Sequence, residues 1–234
     1  MNVAWTSVDV DGTAMHMLRS VPKQAESPAV ILCMHAPGID EFMEAMAQRL
    51  ASAGFAAYVP DLYYRQGVSE DGPLERMGRL RDAELEVDLA ATERHVANQG
   101  HRHIAVAGFC MGGRIALIAA SVLPSLAAAV SFYGGFTRES WGEGKSVFAR
   151  ASMITCPVCL IGGADDTNPS NDDVLQLARE LDIHGNAPKA VIYDGVGHAF
   201  LNPKRPGYRE DVAMRAWNMF EEFLKTQLTG AQQA

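Results

Sequence analysis

Positive charge is the first thing this chain lacks. It sets 20 Lys and Arg against 28 Asp and Glu, for a formal net charge of −8. Nucleic acids and anionic membranes are bound chiefly through clustered cations, so neither is expected as a partner. Cysteine is also scarce, at four residues. Residues 1–10 are polar and contain no apolar h-region. No secretory signal is therefore expected, and the thiols read as free in a reducing, cytoplasmic setting. There is no clean membrane span either. The one long uncharged run, 115–133, is broken by Pro124 and Ser125 and reads as a buried helix, a turn and a strand. No repeat, charge block or low-complexity segment divides the chain, and only the Gly-Ala-Gln-Gln tail looks loose. One domain over 1–234, as a monomer or small homo-oligomer, is the expectation.

What remains is ordinary globular composition, 48% hydrophobic and 21% charged. A chain of this length can bury a core without a disulfide or metal staple. Two of the cysteines form Cys156-Pro157-Val158-Cys159. A redox C-x-x-C needs its first cysteine at a helix start. Here the pair leads into Leu160-Ile161-Gly162-Gly163, which reads as a strand, where positions three apart face opposite sides. His101 and His103 share one face of a strand entrance, but no third ligand of suitable spacing accompanies them. No metal or other cofactor is expected. His16, His95 and His184 read as surface residues.

Short apolar runs alternate with helical patterns along the chain. Residues 29–34 read as a strand buried on both faces. Met43, Met46, Ala47 and Leu50 then mark one face of a helix, closed by Gly54. Further strands are expected over 56–59, 104–107, 127–132, 158–161 and 190–193, and helices over 74–98, 111–121 and 173–181. Val212, Ala216, Met219, Phe220 and Phe223 share a face of the last helix. Residues 3–10 and 15–18, joined through Asp11-Gly12, look like an antiparallel hairpin. The sum is an α/β fold: a mostly parallel central sheet, helices on both faces and an antiparallel N-terminal hairpin. Chemistry in such sheets collects at the carboxyl ends of the strands.

One strand end stands out. Gly108-Phe109-Cys110-Met111-Gly112-Gly113 follows a strand and opens a helix, the G-x-S-x-G nucleophile elbow with sulfur in place of oxygen. The turn is so tight that only small residues fit two before and two after the nucleophile, which is itself held at strained dihedrals. The sulfur also falls at a helix N-terminus, where the dipole favours thiolate. A cysteine still needs a base, and the chain order in α/β-hydrolases is nucleophile, acid, histidine. Gly162-Gly163-Ala164-Asp165 and Gly195-Val196-Gly197-His198 follow two later strands in that order. His198 would take the thiol proton and Asp165 would fix its tautomer, with Asp166 the obvious competitor and Asp194 a weaker one. The oxyanion donors would be the amides of Met111, next after the nucleophile, and of Ala36 in His35-Ala36-Pro37-Gly38; Pro37 has no N–H.

These residues resemble the dienelactone hydrolase family, the carboxymethylenebutenolidase-like α/β-hydrolases, over nearly the whole chain. Gly108 to Gly113 is similar to its nucleophile motif, and Pro60-Asp61-Leu62-Tyr63, Gly162-Gly163-Ala164-Asp165 and Gly197-His198-Ala199-Phe200 to other segments. The resemblance implies Cys110, Asp165 and His198 as the triad. Members that open dienelactone carry a glutamate before the glycine of the oxyanion loop, where this chain has His35-Ala36-Pro37-Gly38. They also carry an arginine four residues after the histidine, where this chain has Asn202, with Arg205 three residues later. His35, Arg65, Tyr133 and Asn202 are the candidate substrate contacts, and Arg65, Arg76, Arg79 and Arg205 are the possible partners for a substrate anion.

The nucleophile narrows the substrate. A thiolate is easily expelled from a tetrahedral intermediate, so amides, with a poor leaving group, tend to revert. Small lactones and activated esters leave more easily and are the expected class, cleaved through a thioester acyl-enzyme. Two other readings compete: a thiol-dependent redox protein, and a non-catalytic small-molecule receptor on the same fold, which would have no need of an ordered triad.

Overall fold

The computed structural model describes residues 3–23 and 26–229; the Gly-Ala-Gln-Gln tail lies outside the described residues. Strands β1 (Val3–Val10) and β2 (Thr13–Ser20) form the expected hairpin. Its turn residues Asp11 and Gly12 both have positive φ, 49° and 84°, which suits the twist of a two-residue hairpin. Strands β3 (Ala29–Cys33), β4 (Ala56–Pro60), β5 (Ile104–Phe109), β6 (Ala128–Phe132) and β7 (Val158–Gly163) are buried throughout, while β8 (Lys189–Tyr193) closes the far edge. Helices α1 (Glu41–Ser52), α2 (Pro73–Gly78), α3 (Asp82–Asn98), α4 (Met111–Val122), α5 (Asn171–Ile183) and α6 (Glu210–Thr229) cover the sheet.

The strand order is β1-β2-β4-β3-β5-β6-β7-β8, antiparallel from β1 through β4 and parallel from β4 to β8. From β3 the chain first crosses to β4 on one side and then returns to β5 on the other. The carboxyl ends of β3 and β5 therefore flank the point where the winding direction reverses, the crevice in which open α/β sheets hold their ligands. The run 115–133 resolves as α4, a turn at Pro124-Ser125 and β6. Among the described residues no helix is long and apolar enough to cross a membrane.

One helix departs from expectation. The stretch 74–98 is not continuous: α2 ends at Gly78, and α3 begins only at Asp82. Arg81 turns its Nη1 back to the carbonyls of Gly78 (3.0 Å) and Leu80 (2.8 Å), and Asp82 is drawn into the interior to meet Arg114. That buried pair is the reason for the break, and apolar periodicity does not reveal it.

Arg114 sits on α4, fully buried, with its guanidinium bound to both oxygens of Asp82 at 2.6 and 2.9 Å. The same guanidinium donates to the carbonyls of Phe136 (3.1 Å) and Glu139 (2.8 Å) and lies 4.0 Å from the Trp141 ring centroid. Asp82 also accepts from the Trp141 amide at 3.0 Å. An ion pair without water persists only when its remaining polar atoms are bonded, as they are here. It fastens the 134–141 loop to the helix that carries the nucleophile elbow. Asp82→Asn leaves the Arg114 charge buried without its counter-ion and should lower the unfolding free energy by about 3–5 kcal/mol in urea titrations. A loss below about 1 kcal/mol would mean that the pair is not the anchor.

Candidate active site

The elbow has the geometry its glycines imply. Cys110 sits at φ 55°, ψ −120°, between the end of β5 and the first residue of α4. A Cβ on Gly108 would lie 2.1 Å from the Gly112 carbonyl oxygen, and one on Gly112 would lie 2.1 Å from the carbonyl oxygen of Cys33. Neither gap admits a side chain. The strained Cys110 is held from both ends, by its own N–H to Phe132 O and by Gly113 N–H to Cys110 O, each 2.9 Å. The thiol itself is half-buried at the sheet's carboxyl edge.

Because Gly112 packs on the last residue of β3, the segment after that strand runs beside the elbow. Ala36 is in that segment, and Met111 opens α4. The Tyr63 hydroxyl ties the two together: it donates to Ala36 O at 2.9 Å and reaches Met111 Sδ at 3.3 Å. Burial pushes the Tyr63 phenol up, so it stays a donor. Its role was not read from the sequence, although the Pro60-Asp61-Leu62-Tyr63 segment that carries it was one of the motifs.

His198 lies on the loop after β8, and its Nδ1 is 2.8 Å from Asp166 Oδ2. Burial alone would lower the imidazole's pKa. The Asp166 carboxylate hydrogen-bonded to it and the neighbouring Cys110 sulfur outweigh that and raise it to about 10. Its ring packs on Tyr133, with centroids 5.2 Å apart. The expectation that Asp165 partners His198 is corrected here: the carboxylate at the imidazole is that of Asp166. Past β7 the chain makes a turn, with Asp166 N–H bonded to Gly163 O at 3.1 Å, while the amide of Asp165 is taken by Val196 O at 2.9 Å. The turn leaves Asp165 exposed and aims Asp166 inward, its side chain 2% exposed. The second oxygen, Asp166 Oδ1, accepts from Asn168 N–H at 2.9 Å, which fixes the carboxylate's orientation.

The structure moves all four candidate substrate contacts off the wall of the cleft beside Cys110. His35 is buried at the end of β3, its Nε2 2.9 Å from Asp40 Oδ1, and burial lowers its pKa despite that carboxylate. Arg65 is bound to the buried Asp88. Tyr133 is buried behind His198. Asn202 is buried and uses Oδ1 to accept from the Lys204 amide at 3.0 Å. Sequence position alone could not separate these structural uses from substrate binding. The cleft, about 270 Å³, is lined instead by Leu74, Met77, Phe136 and Trp141, with Thr167 and Asn168 beside Asp166. Its walls come from α2 and the 134–141 loop, two segments without a motif.

Cys156 and Cys159 are both free and buried, and burial pushes their thiols up to about 11 and about 12. His101 is also internal: Nδ1 lies 2.7 Å from Ser27 O and Nε2 3.0 Å from the Tyr58 hydroxyl.

Residues 15–228 match the model of the dienelactone hydrolase family. A relative from Salmonella typhimurium named "Putative carboxymethylenebutenolidase" is 31% identical over 93% of this chain and 85% of its own. A Bradyrhizobium relative named "Probable 2-oxo-3-(5-oxofuran-2-ylidene)propanoate lactonase" is 30% identical over 87% of this chain and 85% of its own. The crystal structure of a "Putative Dienelactone Hydrolase" from Klebsiella pneumoniae superposes with a TM-score of 0.86 at 27% identity, covering 98% of this chain and 99% of that one. With the sheet order, the cysteine elbow and these matches agreeing, the chain belongs to the dienelactone hydrolase family and is a lactone or ester hydrolase on the α/β-hydrolase fold.

Proposed function

We propose that Cys110 is the nucleophile, His198 the proton carrier and Asp166 the residue that orients the imidazole, in a cysteine hydrolase of small lactones and activated esters. The observation that carries this reading is one cleft at the switch point of the sheet lined by Cys110, His198 and Asp166, with the imidazole hydrogen-bonded to Asp166. The lactonase name of the Bradyrhizobium relative supports a lactone ester as the bond opened; the propanoate in that name belongs to that relative's substrate.

In this reading the sulfur, its proton already held by His198, attacks the carbonyl carbon, so a C–S bond forms as the carbonyl electron pair moves to oxygen. The amides of Ala36 and Met111 receive that oxyanion; losing one such donor typically costs about 3 kcal/mol. The pair then returns, the C–O bond breaks, and His198 protonates the departing alkoxide or enolate. In a lactone that group stays tethered to the acyl chain. Water, deprotonated by His198, attacks the thioester and restores the thiol. Tyr63 acts through Ala36 and Met111 and is a positioning residue. The buried state of Cys156 and Cys159 weighs against disulfide exchange as a competing activity, because a thiol held protonated is a poor nucleophile.

Cys110→Ala should lower turnover of 4-nitrophenyl esters by about 10⁴-fold or more and abolish the acyl adduct seen by intact-mass spectrometry of the quenched wild type. An undiminished rate would remove Cys110 as nucleophile. Asp166→Asn should cost roughly 10²–10⁴-fold in kcat, whereas Asp165→Asn should stay within about twofold. The reverse ranking would return the role to Asp165. The raised His198 pKa also links to stability. Its folded value lies above the ordinary value of about 6.5, so the stabilisation is fully present below about pH 6.5. It is lost as pH climbs through about 10. The gap in Tm between wild type and Asp166→Asn should therefore be wide at pH 6 and narrow toward pH 10.5; a gap independent of pH would break the linkage.

A further inference from the structure

We infer that the acyl group accepted at this site is neutral and apolar, and that a carboxylate on the substrate is selected against. The inference rests on the proposed cysteine-hydrolase chemistry and narrows its substrate class. At about 270 Å³ the cleft has room for a ring or a short chain. Beyond the reacting groups its surface is chiefly hydrocarbon and ring, and among the described residues no lysine or arginine lines it. Leu74 and Phe136 stand 72% and 42% exposed at its rim. Large apolar side chains grouped around a cavity and left uncovered by the fold are what an apolar ligand would bury.

Most cations of the neighbouring segments are paired elsewhere, Arg79 with Asp71 among them, and Arg205 is exposed outside the cleft lining. Arg65 serves Asp88, Arg114 serves Asp82, and Arg138 donates to Asp173 at 2.9 Å. Arg81 caps the carbonyls of Gly78 and Leu80. Arg76 holds its guanidinium carbon 4.2 Å from the Tyr63 ring centroid, leaves its buried Nε without a hydrogen-bond partner and is not part of the cleft wall. The charged groups that do line the cleft, His198 and Asp166, face each other. A substrate carboxylate would have to shed water against Leu74, Met77 and Phe136 with no counter-ion to receive it, in a chain whose net charge is already −8. A neutral alkyl or aryl group gains from the same contacts.

The test compares two esters of equal chain length, 4-nitrophenyl hexanoate and mono-4-nitrophenyl adipate, which differ by a terminal carboxylate. At pH 7.5, kcat/KM should favour the hexanoate by roughly 100-fold, the tenfold steps of burying an unpaired charge. Met77→Arg, which places a cation on the wall, should narrow the gap by about tenfold through a gain on the adipate. Binding is read separately by isothermal titration of the Cys110→Ala protein with methyl hexanoate and monomethyl adipate, and the neutral ester should bind more tightly. Equal or better turnover of the adipate overturns the inference, and an adipate preference that disappears in Arg76→Gln would identify Arg76 as the cation responsible. A neutral ester that binds the Cys110→Ala protein no more tightly than the anionic one also overturns it. If wild type cleaves neither nitrophenyl ester, the proposed activity fails, and the titration alone decides the charge preference.

Discussion

The site depends on a van der Waals constraint: α4 begins in contact with the backbone of β3. Gly112 lies so close to the Cys33 carbonyl that even a methyl group would intrude. That approach lets the chain leave β5 through the strained dihedrals of Cys110, and it brings the segment holding Ala36 alongside the first amide of α4. A strand, a turn and a helix packed less tightly would hold the same residues without converging them. The energy to keep Cys110 strained comes from a sheet whose central strands are buried on both faces.

A second constraint shapes what the site can hold. The buried Arg114–Asp82 pair stabilises little by itself, since desolvation consumes most of the attraction. It specifies geometry instead. By engaging the carbonyls of Phe136 and Glu139 and stacking on Trp141, Arg114 couples α4 to the loop that walls the cleft. By drawing Asp82 inward it ends one helix at Gly78 and starts another, which leaves α2 free to lay Leu74 and Met77 across the opening. One charged pair thus organises an apolar pocket.

Much of this was legible in the sequence because it follows from local chemistry. The Gly108–Gly112 spacing marks an elbow whatever surrounds it, and the buried strands announce themselves as short unbroken apolar runs. Asp11-Gly12 specifies its hairpin turn, and the uncharged run 115–133 declares its own break at Pro124. Asp165 and Asp166 are another matter. They are chemically identical neighbours, and only the turn closed by Asp166 N–H on Gly163 O decides which one faces the imidazole. Arg65 was a candidate substrate contact, but its partner Asp88 lies on α3, outside every motif.

The sequence by itself therefore determined the fold class, the position of the cysteine elbow and the order in which sulfur, carboxylate and imidazole occur, since each is written in residue spacing along one segment. The tertiary structure decided which aspartate meets His198, why Tyr63 matters and what lines the cleft. Those outcomes depend on side chains from segments far apart in the chain meeting at one place. Long-range contacts of that kind leave no periodicity or motif in any single stretch of sequence.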